Sequence, residues 1–106
     1  MVDRAMIEQA AELLSAAVPK GSKVILFGSQ ARGTARDDSD VDFLIVEPQV
    51  SGCLGEAARL DRVLGSFCPL AEIVVLSQEA FEYWKDTPNT LAWWVAREGK
   101  VLYEAT

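Results

Sequence analysis

Three short apolar runs limit what this chain can fold into. They span Lys23–Phe27, Val41–Val46 and Leu70–Leu76, and each is rich in strand-forming residues. Runs of this length fit buried strands and are far too short to cross a membrane. The sequence therefore predicts three core strands and no membrane association.

Segments with helical spacing surround these runs. The predicted order is helix, strand, strand, helix, strand, helix, helix, with a short edge strand at Val101–Tyr103 near the end. Interleaving of this kind predicts an α/β (α+β) domain, in which a small mixed β-sheet has helices packed on it. A chain of 106 residues suffices for one hydrophobic core, so we expect a single domain over residues 1–106.

Local signals predict where several elements end. Glu47 and Pro48 are expected to stop the second strand. The helix from about Leu54 to Phe67 is expected to bury a stripe formed by Leu60, Val63, Leu64 and Phe67, and to expose Glu56, Arg59 and Arg62.

The two helices that follow the third strand carry capping signals. Ser77 is suited to cap the first of them. Thr87, followed by Pro88, is the predicted N-cap of the last helix, and Gly99 is its predicted C-terminal cap.

Composition excludes several classes of function. The chain contains no histidine, so a Ser-His-Asp triad and a histidine-bound zinc site are excluded, and acid–base or metal chemistry has to rest on carboxylates. Ten basic residues face sixteen acidic ones, a formal net charge of -6, which disfavours direct binding of nucleic acid.

The N-terminal segment and the cysteines bear on cellular location. Asp3, Glu8 and Glu12 interrupt the apolar residues of the N-terminus, a pattern unlike that of an export signal. Cys53 and Cys68 have no metal-ligand spacing and fit free thiols in a reducing compartment. We therefore expect a cytoplasmic protein.

The first strand is followed by a Gly28-Ser29 step that precedes a short helical segment, Ser29–Arg32. Glycine gives the backbone freedom to turn, serine supplies a hydroxyl, and the start of a helix presents unpaired N–H groups, which together can hold a phosphate. A Gly-Ser step after a strand is more often only a turn, so by itself it does not establish a phosphate site.

Asp40 and Asp42 flank Val41 at the start of the second strand. Because side chains alternate along a strand, both carboxylates are expected on one face, where their mutual repulsion calls for a partner such as magnesium. A solvated strand end is the simpler interpretation of this pair alone. If the first two strands are neighbours, however, Gly28 and the aspartates meet at one end of the sheet, as a metal triphosphate requires.

Glu72, in the third strand, is a candidate third carboxylate. It lies beside the apolar residues Ile73, Val74 and Val75, where a charge is unusual. Two interpretations remain open for it, a metal ligand and a solvated strand end.

The stretch from Gly28 to Gly33, Gly-Ser-Gln-Ala-Arg-Gly, followed by Ser39-Asp40-Val41-Asp42, closely resembles the motif of the DNA polymerase β-like nucleotidyltransferase superfamily. It is most similar to the minimal nucleotidyltransferase branch, the MntA-like antitoxins paired with HEPN toxins. The resemblance extends over nearly the whole chain and implies the nucleotidyltransferase fold.

This resemblance implies roles for six residues. Gly28 and Ser29 would hold the triphosphate, Asp40 and Asp42 would bind two Mg²⁺ ions, and Glu72 would complete the metal site and activate the attacking hydroxyl. The family usually has aspartate at the position of Glu72. Arg32 would contact the nucleotide, although an ion pair that braces the loop explains it equally well.

The implied activity is transfer of AMP from ATP to a hydroxyl of a protein, namely a HEPN-type RNase toxin that this modification silences. A second interpretation is a non-catalytic antitoxin that covers its partner by direct contact, and a third is a module that only binds a nucleotide. Five large aromatic residues bear on the second interpretation, namely Phe81, Tyr83, Trp84, Trp93 and Trp94. If these rings are exposed, they would suit a protein interface, but aromatic clusters more often form part of the core.

Overall fold

A computed structural model describes residues 4–33, 40–68 and 71–104; the side chain of Ser29 and residues 34–39 lie outside the described part. In chain order the elements are α1 (Arg4–Ala17), β1 (Lys23–Phe27), α2 (Ser29–Arg32), β2 (Val41–Glu47), α3 (Cys53–Leu64), β3 (Ala71–Ser77), α4 (Gln78–Trp84), α5 (Leu91–Glu98) and β4 (Lys100–Glu104). The predicted order of helices and strands is confirmed, including the edge strand near the end.

The four strands form one mixed sheet in the order β3-β2-β1-β4. β2 runs parallel to β3, whereas β1 is antiparallel to both of its neighbours. This arrangement makes β1 and β2 adjacent and brings Phe27 opposite Asp42, which in turn lies beside Glu72 on β3. The three positions therefore lie in one row across the sheet.

Helices cover both faces of the sheet. Val41, Phe43 and Ile45 pack into a buried cluster that includes residues of α1 and α3. Leu44 and Val46, which alternate with them, pack instead into the cluster that contains Val95 of α5. By the same alternation Asp42 lies on the α5 face of the sheet.

The predicted cap at Ser77 is confirmed, and the one at Thr87 is wrong. Ser77 Oγ accepts a hydrogen bond from the Ala80 amide at 3.1 Å. The last helix starts three residues later than predicted, because Thr90 is its N-cap and accepts from the Trp93 amide at 3.2 Å. Residues 87–90 form a turn in which Asn89 has a φ of 69°, a backbone conformation that no helix contains.

Two predicted boundaries need correction. β2 continues through Glu47, which is only 2% exposed because α3 packs over it, and its Oε2 has no hydrogen-bond partner among the described residues. α3 ends at Leu64, where Gly65 adopts a φ of 55°. Phe67, predicted to be buried, therefore lies beyond the helix and is 38% exposed, and Val63, also predicted to be buried, is 37% exposed although it lies within α3.

The large aromatic residues do not form a common core. Phe81 packs against the buried cluster on the α5 face, but Tyr83, Trp84 and Trp94 are 71%, 44% and 45% exposed. The core interpretation is therefore wrong for these three rings. Cys53 and Cys68 are free thiols, as predicted. In the described segments, no helix has the length and apolar character needed to span a membrane.

Candidate active site

Gly28 and Asp42 meet at one end of the sheet. Gly28 follows β1 with a φ of 75°, which an L-residue rarely adopts. A Cβ atom added at Gly28 would overlap Oδ2 of Asp42. Both the backbone turn and the close approach of the carboxylate therefore require glycine here.

Asp42 and Glu72 form a carboxylate pair. They occupy adjacent positions on the parallel strands β2 and β3, and their side chains are close enough to share a hydrogen bond when one of the two carboxyls is protonated. Burial raises the pKa of Asp42 to about 6, and both the hydrogen bond and the negative charge of Glu72 act in the same direction. A pair of this kind attracts either a proton or a cation.

Asp40 lies just before β2 and is exposed. Its negative charge also raises the pKa of Asp42, so the two carboxylates are within electrostatic reach of each other. Among residues 4–33, 40–68 and 71–104, however, no three acidic or cysteine side chains are close enough together to hold a metal ion. The structure thus brings Asp42 and Glu72 together and leaves Asp40 at the margin of the pair.

Arg32, at the end of α2, forms an ion pair with α5. Its Nη1 lies 3.2 Å from Oε2 of Glu98. The positive charge of Arg32 also lowers the pKa of Asp42, which partly offsets the effect of Glu72. Arg32 therefore braces the site, as one of its two interpretations predicted, and adds positive charge beside the carboxylates. The contact predicted between Ser29 and phosphate involves a side chain outside the described part of the structure.

A groove beside the carboxylate pair was not predicted from the sequence. It has a volume of about 490 Å³ and is lined by Phe27, Gly28, Arg32, Leu91, Trp94 and Glu98. These residues come from β1, α2, α5 and the turn at Gly28, so only the tertiary fold reveals the groove. The adjacent Trp93-Trp94 pair was the available signal, because two neighbouring residues of a helix cannot both face the core.

A second carboxylate pair lies at the opposite end of β2. Burial, followed by the hydrogen bond to Glu56, raises the pKa of Glu47 to about 7. The hydrogen bond from Arg59 is the main cause that lowers the pKa of Glu56 to about 2. Arg59 also donates to the Ala17 carbonyl at 2.7 Å and so links α3 to the end of α1. This network differs from the exposed face predicted for Glu56 and Arg59.

The sequence was also compared with known protein families. The nucleotidyltransferase domain family matches residues 7–86. The chain belongs to this family. No curated protein matches this nucleotidyltransferase domain.

Solved structures share the fold of this nucleotidyltransferase domain. A Sulfolobus solfataricus protein described as a nucleotidyltransferase has a TM-score of 0.64 at 20% identity, over 94% of this chain and 78% of that one. A toxin–antitoxin structure with AMP-PNP gives 0.61 at 23% identity, over 93% and 74% of the two chains. A mutant toxin–antitoxin MntA-HpeT gives 0.62 at 18%, over 92% and 73%. At these identities the likeness establishes the nucleotidyltransferase fold.

Proposed function

We propose that this nucleotidyltransferase transfers AMP from ATP to a hydroxyl of a protein acceptor, with two Mg²⁺ ions in the site. The observation that carries the proposal is the Asp42–Glu72 pair beside Gly28. It places two adjacent carboxylates against a backbone turn that has no side chain of its own, at one end of the sheet. Family membership supports transfer of a nucleotide, whereas ATP as donor and a protein as acceptor come from the resemblance of the motif.

The donor set fits magnesium. Asp42 and Glu72 offer only oxygen atoms, and Mg²⁺ typically binds through one or two carboxylates together with the phosphates of a substrate. Asp40 is near enough to raise the pKa of Asp42 and would join once a cation offsets the repulsion. In our proposal the metal ligands are Asp40, Asp42 and Glu72. When bound, magnesium would supply positive charge to the phosphates and to the attacking oxygen.

Each residue of the site would then have its own role in the reaction. The turn at Gly28 and Ser29 holds the triphosphate, and Arg32 contributes positive charge from the side of α5. The acceptor hydroxyl attacks the α-phosphorus, the bond to the β-phosphate oxygen breaks, and pyrophosphate leaves. Glu72 accepts the hydroxyl proton, since it is the more exposed member of the pair and has Asp42 beside it.

A HEPN-type toxin is the proposed acceptor and partner. The support is the resemblance of the motif, together with the description of two structures of similar fold as toxin–antitoxin proteins. In this proposal the domain is an antitoxin that neutralises an RNase by adding AMP.

The free thiols of Cys53 and Cys68 support a reducing compartment such as the cytoplasm.

Transfer is tested by adding magnesium and α-phosphate-labelled ATP to a lysate of the source organism. We expect label on a macromolecule with the wild-type protein and none with Asp42→Asn. The labelled band identifies the acceptor. Absence of label with a wild-type protein shown to be folded would contradict the proposal.

A specific observation favours a second candidate, a non-catalytic antitoxin that acts by contact. Helix α4 has no buried residue, and it carries the exposed rings of Tyr83 and Trp84 in edge-to-face contact. Exposed aromatic residues are typical of protein interfaces. This candidate predicts that Asp42→Asn still neutralises the toxin and that Tyr83→Ala does not, whereas enzymatic neutralisation requires Asp42.

A further inference from the structure

The groove formed by Phe27, Gly28, Arg32, Leu91, Trp94 and Glu98 opens on the same face of the sheet as the carboxylate pair. Phe27 lies directly opposite Asp42 in the β1–β2 register. Side chains at opposite positions of antiparallel strands are neighbours on one face. The groove therefore begins one side chain away from Asp42, and it shares Gly28 with the proposed phosphate site.

The size and lining of the groove fit a flat, mainly apolar group. Its volume of about 490 Å³ lies within the range of roughly 300–1,000 Å³ common for small-molecule sites. Phe27, Leu91 and Trp94 provide an apolar surface, and Arg32 and Glu98, which form an ion pair, add charged groups to the lining. An apolar lining with a few fixed polar groups is the usual composition of a ligand site.

The Trp94 indole is exposed but held in place. It is 45% exposed, and it contacts the ring of Trp93 edge-on, with centroids 4.8 Å apart and an interplanar angle of 83°. Trp93 is itself fixed by the Arg97 guanidinium, which lies 4.2 Å from its ring centroid. An ordered indole at the wall of a groove is a suitable surface for stacking of an aromatic ring.

We propose that this groove binds the base of the nucleoside triphosphate, with the base stacked on Trp94. The inference rests on the proposed function, because it assumes that the phosphates lie at Gly28 beside Asp42. A base is joined to its phosphates through the sugar, so it has to lie in a neighbouring site. Among the described pockets, this groove is the one that contains Gly28. Trp94 is thereby a residue that binds the base.

Binding measurements distinguish the contribution of the base from that of the phosphates. Equilibrium dissociation constants are measured for Mg-ATP and for magnesium tripolyphosphate, which has the phosphates without a nucleoside. We expect the wild-type protein to bind ATP more tightly, and Trp94→Ala to weaken ATP binding about tenfold while binding of tripolyphosphate is unchanged. Trp84→Ala is the matched control, because Trp84 is 44% exposed and does not line the groove, and it should bind both ligands as the wild type does.

Fluorescence provides a second measurement that does not depend on Trp94→Ala being folded. The chain has three tryptophans, so Trp84→Phe combined with Trp93→Phe leaves Trp94 as the only indole. We expect ATP to quench its emission and tripolyphosphate to leave it unchanged.

The outcomes distinguish this inference from the proposed function. Two results together would show that the base lies elsewhere while the phosphate site stands. The first is that Trp94→Ala binds ATP as tightly as the wild type, or loses affinity for ATP and tripolyphosphate equally. The second is that ATP does not quench Trp94 emission. If the wild type binds neither ligand, the phosphate site itself is wrong and this inference fails with it.

Discussion

The Asp42 carboxylate occupies the space that a side chain at position 28 would need. Gly28 follows β1, Asp42 lies on β2, and an added Cβ at Gly28 would overlap Oδ2 of Asp42. The sequence motif therefore has a geometric meaning, since the glycine allows the first strand to turn directly against a carboxylate of the second.

Gly28→Ala should damage both stability and ligand binding. Alanine at a positive φ costs about 1 kcal/mol, and displacement of Asp42 adds strain of about 1–3 kcal/mol. Gly33→Ala is a matched control, because Gly33 has a φ of 76° but no heavy atom of the described residues lies within 4 Å of an added Cβ. Urea unfolding and Mg-ATP binding should show a larger loss for Gly28→Ala in both. Equal losses would mean that the contact with Asp42 is unimportant.

Asp42→Asn should greatly slow transfer and yet stabilise the metal-free protein. Burial and the Glu72 carboxylate both raise the pKa of Asp42, so its ionised form is unfavourable in the folded state at neutral pH. We expect a melting temperature a few degrees higher in EDTA, and transfer at least about 100-fold slower. Asp61→Asn removes an exposed charge and serves as the control. A clear loss of stability on Asp42→Asn would contradict the repulsion between Asp42 and Glu72.

Much of the site could be predicted from local pattern. Alternation along β2 places Asp42 on one face and Val41 on the other, and the sheet order then brings Gly28 against Asp42. The position of Glu72 beside Asp42 depends on a parallel pairing of β2 with β3, which pattern alone leaves open. The Trp93-Trp94 pair indicates an exposed ring on α5, but the groove at Trp94 also depends on how α5 packs on β1, which no local signal defines.

Glu47 shows why the remaining structure was not predictable. A carboxylate after an apolar run usually marks the solvated end of a strand. Here Glu47 lies on the face of the sheet that α3 covers, and Glu56 and Arg59, three residues apart on α3, lie close to its carboxyl. This proximity depends on how α3 packs on the sheet, which the sequence of the strand alone does not indicate.

The pair formed by Glu47 and Glu56 should make stability depend on pH. Folding raises the pKa of Glu47 from 4.5 to about 7, so the folded state binds more protons than the unfolded state between these values. Stability should therefore fall as pH rises through this window, and Asp42 adds to the same trend. The lowered pKa of Glu56 acts below the window and removes stability as pH falls toward 2.

Glu47→Gln should reduce this dependence. The amide has nearly the same shape and does not ionise, so we expect a gain on the order of 1 kcal/mol at pH 8 and little change at pH 5. Urea unfolding across this range measures the effect, with the exposed Glu12→Gln as the control. A wild-type-like slope in Glu47→Gln would show that Glu47 is not the group that titrates.

The central claim is that the Asp42–Glu72 pair catalyses transfer of a nucleotide, and parallel reactions with differently labelled ATP test it most directly. Purified protein, magnesium and the acceptor identified in the lysate are incubated with ATP labelled at either the α- or the γ-phosphate. The account predicts stable labelling of the acceptor from the α-label only, with loss of labelling in Asp42→Asn and Glu72→Gln. Labelling from the γ-phosphate, or α-labelling that persists in both variants, would contradict it.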